Sequence, residues 1–160
     1  MKYKVILFWI IITILIYNPF SARFFTWNIA LLHGIDTTIF YKLINTESSF
    51  RSLAVSHQKA IGLGQLKAST FKYMKPNLPK ILVWFPITNL DASATYLKYL
   101  KKKFNDNWSL TLAAYNWGES NVDKRFANKA IVSDKDYRYI FKDVPETYEF
   151  LKKILGDTDE

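Results

Sequence analysis

From Phe24 onward the apolar side chains recur at helical intervals, with no internal repeat and no low-complexity linker, and this periodicity predicts a mostly α-helical fold. Helices are expected at about 25–33, 37–48, 67–74, 90–104, 109–117, 123–130 and 146–155. Asn89 precedes a segment whose Ala94, Leu97, Leu100 and Phe104 share one face, with Lys98, Lys101, Lys102 and Lys103 mostly on the solvated side. Ser109 is expected to cap the helix LTLAAYNWG, Gly118 to end it, and Pro145 to introduce the last helix, which packs through Tyr148, Leu151 and Leu155. Pro76, Pro79 and Pro86 mark the stretch from Lys75 to Thr88 as a loop or a broken short helix. Its Val83, Trp84 and Phe85 are either core or the rim of a groove, with the core reading preferred.

A chain of 160 residues, nearly half of them hydrophobic, fits one domain with a real core, preceded by a leader. The absence of cysteine excludes disulfides, thiol catalysis and thiolate metal sites, so packing alone must hold the domain together. Twelve phenylalanines, ten tyrosines and five tryptophans suit a packed helical core, with or without an aromatic-lined cleft. The amino terminus places Lys2 and Lys4 before an apolar run from Val5 to Tyr17, which reads as a signal peptide or a membrane anchor over residues 1–22. That run is shorter than the ~20 residues that span a bilayer, yet Pro19 and Phe20 are poor matches to a cleavage site, so both readings stand. Formal charge is +8; without Lys2, Lys4 and Arg23 it becomes 19 basic against 14 acidic residues. An exported basic domain suits an anionic wall polymer or membrane surface, whereas scattered lysines without a binding motif argue against nucleic acid.

One residue breaks the helical pattern. Asp36 or Thr37 caps a helix whose Phe40, Leu43 and Ile44 share a face, and Glu47 falls on that face where an apolar residue is due. Partial burial and the negative helix end both disfavour a carboxylate there, and both raise its pKa toward the range of a proton donor. From this segment alone the preferred reading is a solvated glutamate at a fraying helix end.

Four short stretches follow in fixed order: Glu47-Ser48, Gly62-Leu63-Gly64-Gln65, Ala114-Tyr115-Asn116 and Glu146-Thr147. With their surroundings, NTESSFRSLAVSHQKAIGLGQL and NLDASATYLKYLKKKFNDNWSLTLAAYNWGESNV, they resemble the catalytic domain of the lytic transglycosylases that share the goose-type lysozyme fold, over about residues 28–155. The resemblance implies a lysozyme-like helical domain with a substrate groove, spanning residues 24–156. It implies cleavage of the bond between N-acetylmuramic acid and N-acetylglucosamine in peptidoglycan, with 1,6-anhydromuramyl products. Glycosidases ordinarily pair an acid with a second carboxylate. Among Asp91, Glu119 and Glu146 none is placed as convincingly as Glu47, and in the family resembled one glutamate suffices because the muramyl 6-hydroxyl is the nucleophile.

By the same resemblance Glu47 is acid and then base, and Tyr115 matches the tyrosine whose hydroxyl orients it. Asn116 is the neighbouring amide, and Glu146 supports the cleft by hydrogen bonding. Ser48 serves the carboxylate, the substrate or merely the local backbone. Gly62 and Gly64 permit close approach of a sugar or make a tight turn, and Gln65 offers a donor and an acceptor to substrate. Departures fall on substrate handling: Gly64 replaces a frequent methionine, Lys67-Ala68 a frequent Met-Pro, Glu119 a common proline, and Phe150 a tyrosine. No cofactor is implied, and His33 and His57 lack metal-ligand spacing. The expected partner is the peptidoglycan glycan strand, reached in the bacterial envelope or periplasm by a monomeric catalytic domain. The membrane joins it if the leader is kept, and envelope or secretion machinery are further candidates. A hydrolytic muramidase on the same fold and a noncatalytic wall-binding or envelope-assembly protein are the alternative readings.

Overall fold

Residues 2–127 and 129–157 are described by the computed structural model. Among them helices dominate, and β pairing is limited to isolated bridges between Val55 and Ile61 and between Ile61 and Leu66. Contacts divide the chain within its longest helix into two units, Met1–Ala94 and Thr95–Glu160.

The first unit opens with α1 (Lys2–Tyr17), apolar on every side and without a buried residue. Helix α2 (Pro19–His33) begins well before the expected position 25. Asn18 accepts a hydrogen bond from the Ser21 N–H at 3.0 Å, and Pro19 fills the first turn, where its missing N–H is not needed. The Asn-Pro pair thus starts a helix within the 1–22 segment expected as leader. Because α2 crosses position 22, Ala22 and Thr26 are buried in the domain. Asp36, not Thr37, caps α3 (Thr37–Ser48) by accepting from Ile39 N–H at 2.9 Å. Phe40, Leu43 and Ile44 are fully buried, as the stripe requires. After a long loop come α4 (Ala68–Met74), a 3-10 turn at Lys80–Trp84, and α5 (Pro86–Lys103). Of the three residues expected in the core there, Val83 is buried, Trp84 half-buried and Phe85 exposed. Helix α5 starts at Pro86 rather than 90, again because a proline opens a helix where it had been read as breaking one.

In the second unit Leu97, Leu100 and Phe104 are buried on the face that the lysines avoid. Helix α6 (Trp108–Trp117) is capped by Asn107 instead of Ser109: Asn107 Oδ1 accepts from Leu110 N–H at 3.0 Å. Ser109 lies inside the helix, buried, and donates to Asp136 Oδ1 at 3.1 Å. Gly118 ends α6 with φ 103°, a conformation that side chains resist, and directly starts α7 (Glu119–Phe126). That helix begins four residues before the expected 123, with Glu119 in its first turn where a carboxylate favours the helix dipole. A 3-10 turn at Arg138–Phe141 leads to α8 (Pro145–Leu155). Its buried face is Thr147, Phe150, Leu151 and Ile154, rotated from the expected one, with Tyr148 and Leu155 only partly covered.

Candidate active site

The expected site residues divide between the units: Glu47, Ser48, Gly62 and Gln65 in the first, Tyr115, Asn116 and Glu146 in the second. Glu47 is half-buried in the last turn of α3, one turn beyond the fully buried Ile44. The apolar stripe therefore carries it to the edge of the core and no further. Immediately after it the backbone turns left-handed at Ser49 (φ 51°) and Phe50 (φ 59°). Such a conformation in a bulky residue is strained, and Phe50 is held in it by burial against the Tyr41 ring at 4.8 Å. The helix end that presents Glu47 is thus fixed by packing. Ser48 is buried and donates to the Ile44 carbonyl at 3.2 Å, a local backbone bond.

The Gly62–Gln65 turn is built around a residue that the helical pattern mislabelled. Asn89, inside α5 and fully buried, accepts from Gly64 N–H at 2.8 Å and donates to the Ile61 and Val83 carbonyls, each at 2.9 Å. One side chain thereby ties the turn to the helix and to the 3-10 segment. Gly62 has φ 77°, and a Cβ there would stand 2.5 Å from Asn89 Nδ2, so glycine is required both by conformation and by space. Gln65, also left-handed at φ 48°, donates to the Gly62 carbonyl at 2.9 Å and the Ala54 carbonyl at 3.2 Å. Its amide nitrogen thus braces the loop.

In the second unit the Tyr115 ring lies 5.4 Å from Tyr96, which stacks on Tyr99 at 6.3 Å. Tyr99 donates to Glu119 at 2.7 Å, and Lys103 pairs with both Glu119 and Asp123. Burial, aided by the Glu119 charge, pushes the Tyr96 hydroxyl up to about 12, so it stays protonated at any working pH. Asn116 Oδ1 accepts from the buried Thr147 hydroxyl at 2.8 Å, whereas Glu146 is exposed in the first turn of α8. Within the Glu146-Thr147 motif it is the threonine that holds the asparagine.

Two of the three acids weighed as partners for Glu47 are engaged elsewhere. Glu119 is held by Tyr99 and Lys103, and Asp91 accepts from His33 at 2.8 Å and pairs with Lys75 at 2.5 Å. Burial alone would raise the Asp91 carboxyl, but hydrogen bonds and charge from Lys75 and His33 outweigh it and hold its pKa below the usual carboxylate value. A depressed folded-state pKa contributes stability that is present above the unfolded value of about 4 and is lost as pH falls through the folded one. Asp91→Asn is therefore expected to lower the melting temperature at pH 7, with the gap to the parent closing below about pH 4 in thermal melts.

Comparison with known proteins bears on the family and the fold. The transglycosylase SLT domain model matches residues 28–138. A protein of Alteromonas sp. named for tributyltin chloride resistance is 34% identical over 51% of this chain and 41% of its own length. Membrane-bound lytic murein transglycosylase C of Histophilus somni is 30% identical over 60% of this chain and 30% of its own. The chain thus spans less than half the length of these curated relatives. Among solved structures, the lytic transglycosylase Slt of Pseudomonas aeruginosa, an inactive glutamate-to-glutamine mutant, superposes with TM-score 0.69 at 25% identity over 89% of this chain and 24% of its own. The helical architecture is the lysozyme-like fold of the lytic transglycosylases. By a family match covering most of its length, this chain belongs to the transglycosylase SLT domain family.

Proposed function

We propose that the protein is a peptidoglycan lytic transglycosylase of the bacterial envelope. The observation that carries this reading is Glu47, half-buried at the rigid end of α3 within the segment matched by the family. Glu47 in its acid form gives its proton to the glycosidic oxygen as the bond from C1 of N-acetylmuramic acid breaks. The carboxylate then takes the proton of the muramyl 6-hydroxyl while that oxygen bonds to C1. One C–O bond is lost, one is formed, and no water is consumed. Gln65 offers its carbonyl oxygen to the substrate, and the Gly62 turn sets its position. Tyr115 and Asn116 contact the substrate from α6, with Thr147 fixing the asparagine. The engagement of Asp91 and Glu119 in ion pairs supports a mechanism run by one glutamate.

Release of soluble muropeptides from purified peptidoglycan, followed by chromatography, tests the reading; intact sacculi after prolonged incubation would contradict it. In that assay Tyr115→Phe is expected to lower the rate about 3- to 10-fold, the worth of one neutral hydrogen bond to the substrate. We propose further that α1 anchors the domain in the cytoplasmic membrane with Lys2 and Lys4 inside. Cleavage near position 22 would remove the capped first turn of α2 and the buried Ala22, which supports retention of the segment.

A further inference from the structure

Helix α2 has two faces of opposite fate. Ala22, Thr26, Ile29 and Ala30 are buried, while Phe20, Phe24, Trp27 and Leu31 form an outward stripe at spacings of four, three and four, each between 48% and 78% exposed. The stripe borders a hollow of about 500 Å³ with Arg23 and Tyr41 on its rim. Four large apolar side chains in one row, three of them aromatic, are not left to water without a partner.

The neighbouring helix indicates what covers them. The apolar run of α1, Val5 to Tyr17, reaches only about 20 Å at 1.5 Å per residue, against a hydrocarbon core of about 30 Å. No single helix among the described residues is long and apolar enough to cross, but α1 and α2 together pass by length and composition, bent by 60° at Asn18. A helix bent that far from a membrane-inserted one leans toward the bilayer plane. Its outward face then meets the layer of headgroups and upper acyl chains, where tryptophan and phenylalanine are favoured and where a short span is compensated. Arg23 in the same face suits the phosphates of anionic lipid.

We propose that α2 is an in-plane interfacial helix, its Phe20–Phe24–Trp27–Leu31 stripe seated in the outer leaflet of the membrane that α1 enters, so that the domain is held against the lipid surface and not merely tethered to it. This rests on the anchor reading of α1 but not on the enzymatic one. The chain has no cysteine, so Ile10→Cys, Phe24→Cys, Trp27→Cys, Leu31→Cys and Lys124→Cys each accept a single spin label. The full chain is reconstituted in phosphatidylethanolamine–phosphatidylglycerol vesicles, and label collisions with oxygen and with a water-soluble nickel chelate are compared. Positions 10, 24, 27 and 31 are expected to favour oxygen, and position 124 the nickel chelate. A lipidic position 10 with an aqueous stripe would overturn the interfacial helix and leave the anchor standing; an aqueous position 10 would overturn both. Stripe labels shielded from both reagents would mean that protein, such as a second copy, covers them, which also overturns the proposal.

Discussion

Glu47→Gln is expected to lower the rate of glycan cleavage by about 10²- to 10⁴-fold, the usual contribution of a positioned proton donor, while leaving the fold and the melting temperature nearly unchanged. The substitution keeps the shape of the side chain and removes the proton that the leaving oxygen needs. Stability should hold because Phe40, Leu43 and Ile44 carry the packing of α3, and the half-buried position of residue 47 tolerates an amide. Binding to insoluble peptidoglycan should persist, so the loss belongs to turnover and not to affinity. Steady-state kinetics on purified sacculi beside a pull-down of the variant separates the two. A variant that keeps more than about a tenth of the parent rate would remove Glu47 from the chemistry.

The largest effect on stability is expected at Asn89. Its replacement by alanine removes three hydrogen bonds at once, from Gly64 N–H and to the Ile61 and Val83 carbonyls, and unties the turn from α5. At about 0.5–1.5 kcal/mol for each lost bond the destabilisation is about 3 kcal/mol, or on the order of 10 °C in melting temperature for a domain of this size. Activity should fall as well, since the turn that sets Gln65 loses its tie to α5. Gly62→Ala attacks the same joint from the other side: alanine at φ 77° is strained by about 1–2 kcal/mol, and its methyl meets the Asn89 amide. Combining the two changes relieves that clash, so the double variant should be more stable than the sum of the single losses. Denaturant melts of the four proteins measure this coupling, and strict additivity would contradict the geometry.

The helical pattern was legible where apolar spacing alone decides it, as in α3 and α6, whose limits follow from Phe40, Leu43 and Ile44 and from Leu112, Ala113 and Ala114. It was misread at prolines. Pro86, expected in a loop or broken short helix, opens α5, so that Asn89 lies in the first turn of that helix rather than before it, and Asn18-Pro19 starts α2 ahead of the expected position 25. The clamp made by Asn89 was illegible for that reason, and because the carbonyls that it binds lie 28 and 6 residues away in the chain. Ser109 lost its capping role to Asn107 because two capping residues stood close together, and spacing cannot choose between them. The position of Glu47 was legible from local spacing, which carries it to the edge of the buried stripe, where a carboxylate costs less than in the core. Thr147 was quoted only as the neighbour of Glu146, and its bond to Asn116 spans 31 residues, beyond the reach of any local pattern.

Mass spectrometry of peptidoglycan digested by the protein, with Glu47→Gln as the matched control, tests the central claim most directly. Fragments ending in 1,6-anhydromuramic acid, each lighter by one water than the hydrolytic product and absent from the control, are the predicted result. Reducing-end muropeptides would contradict it and assign the fold to a hydrolase.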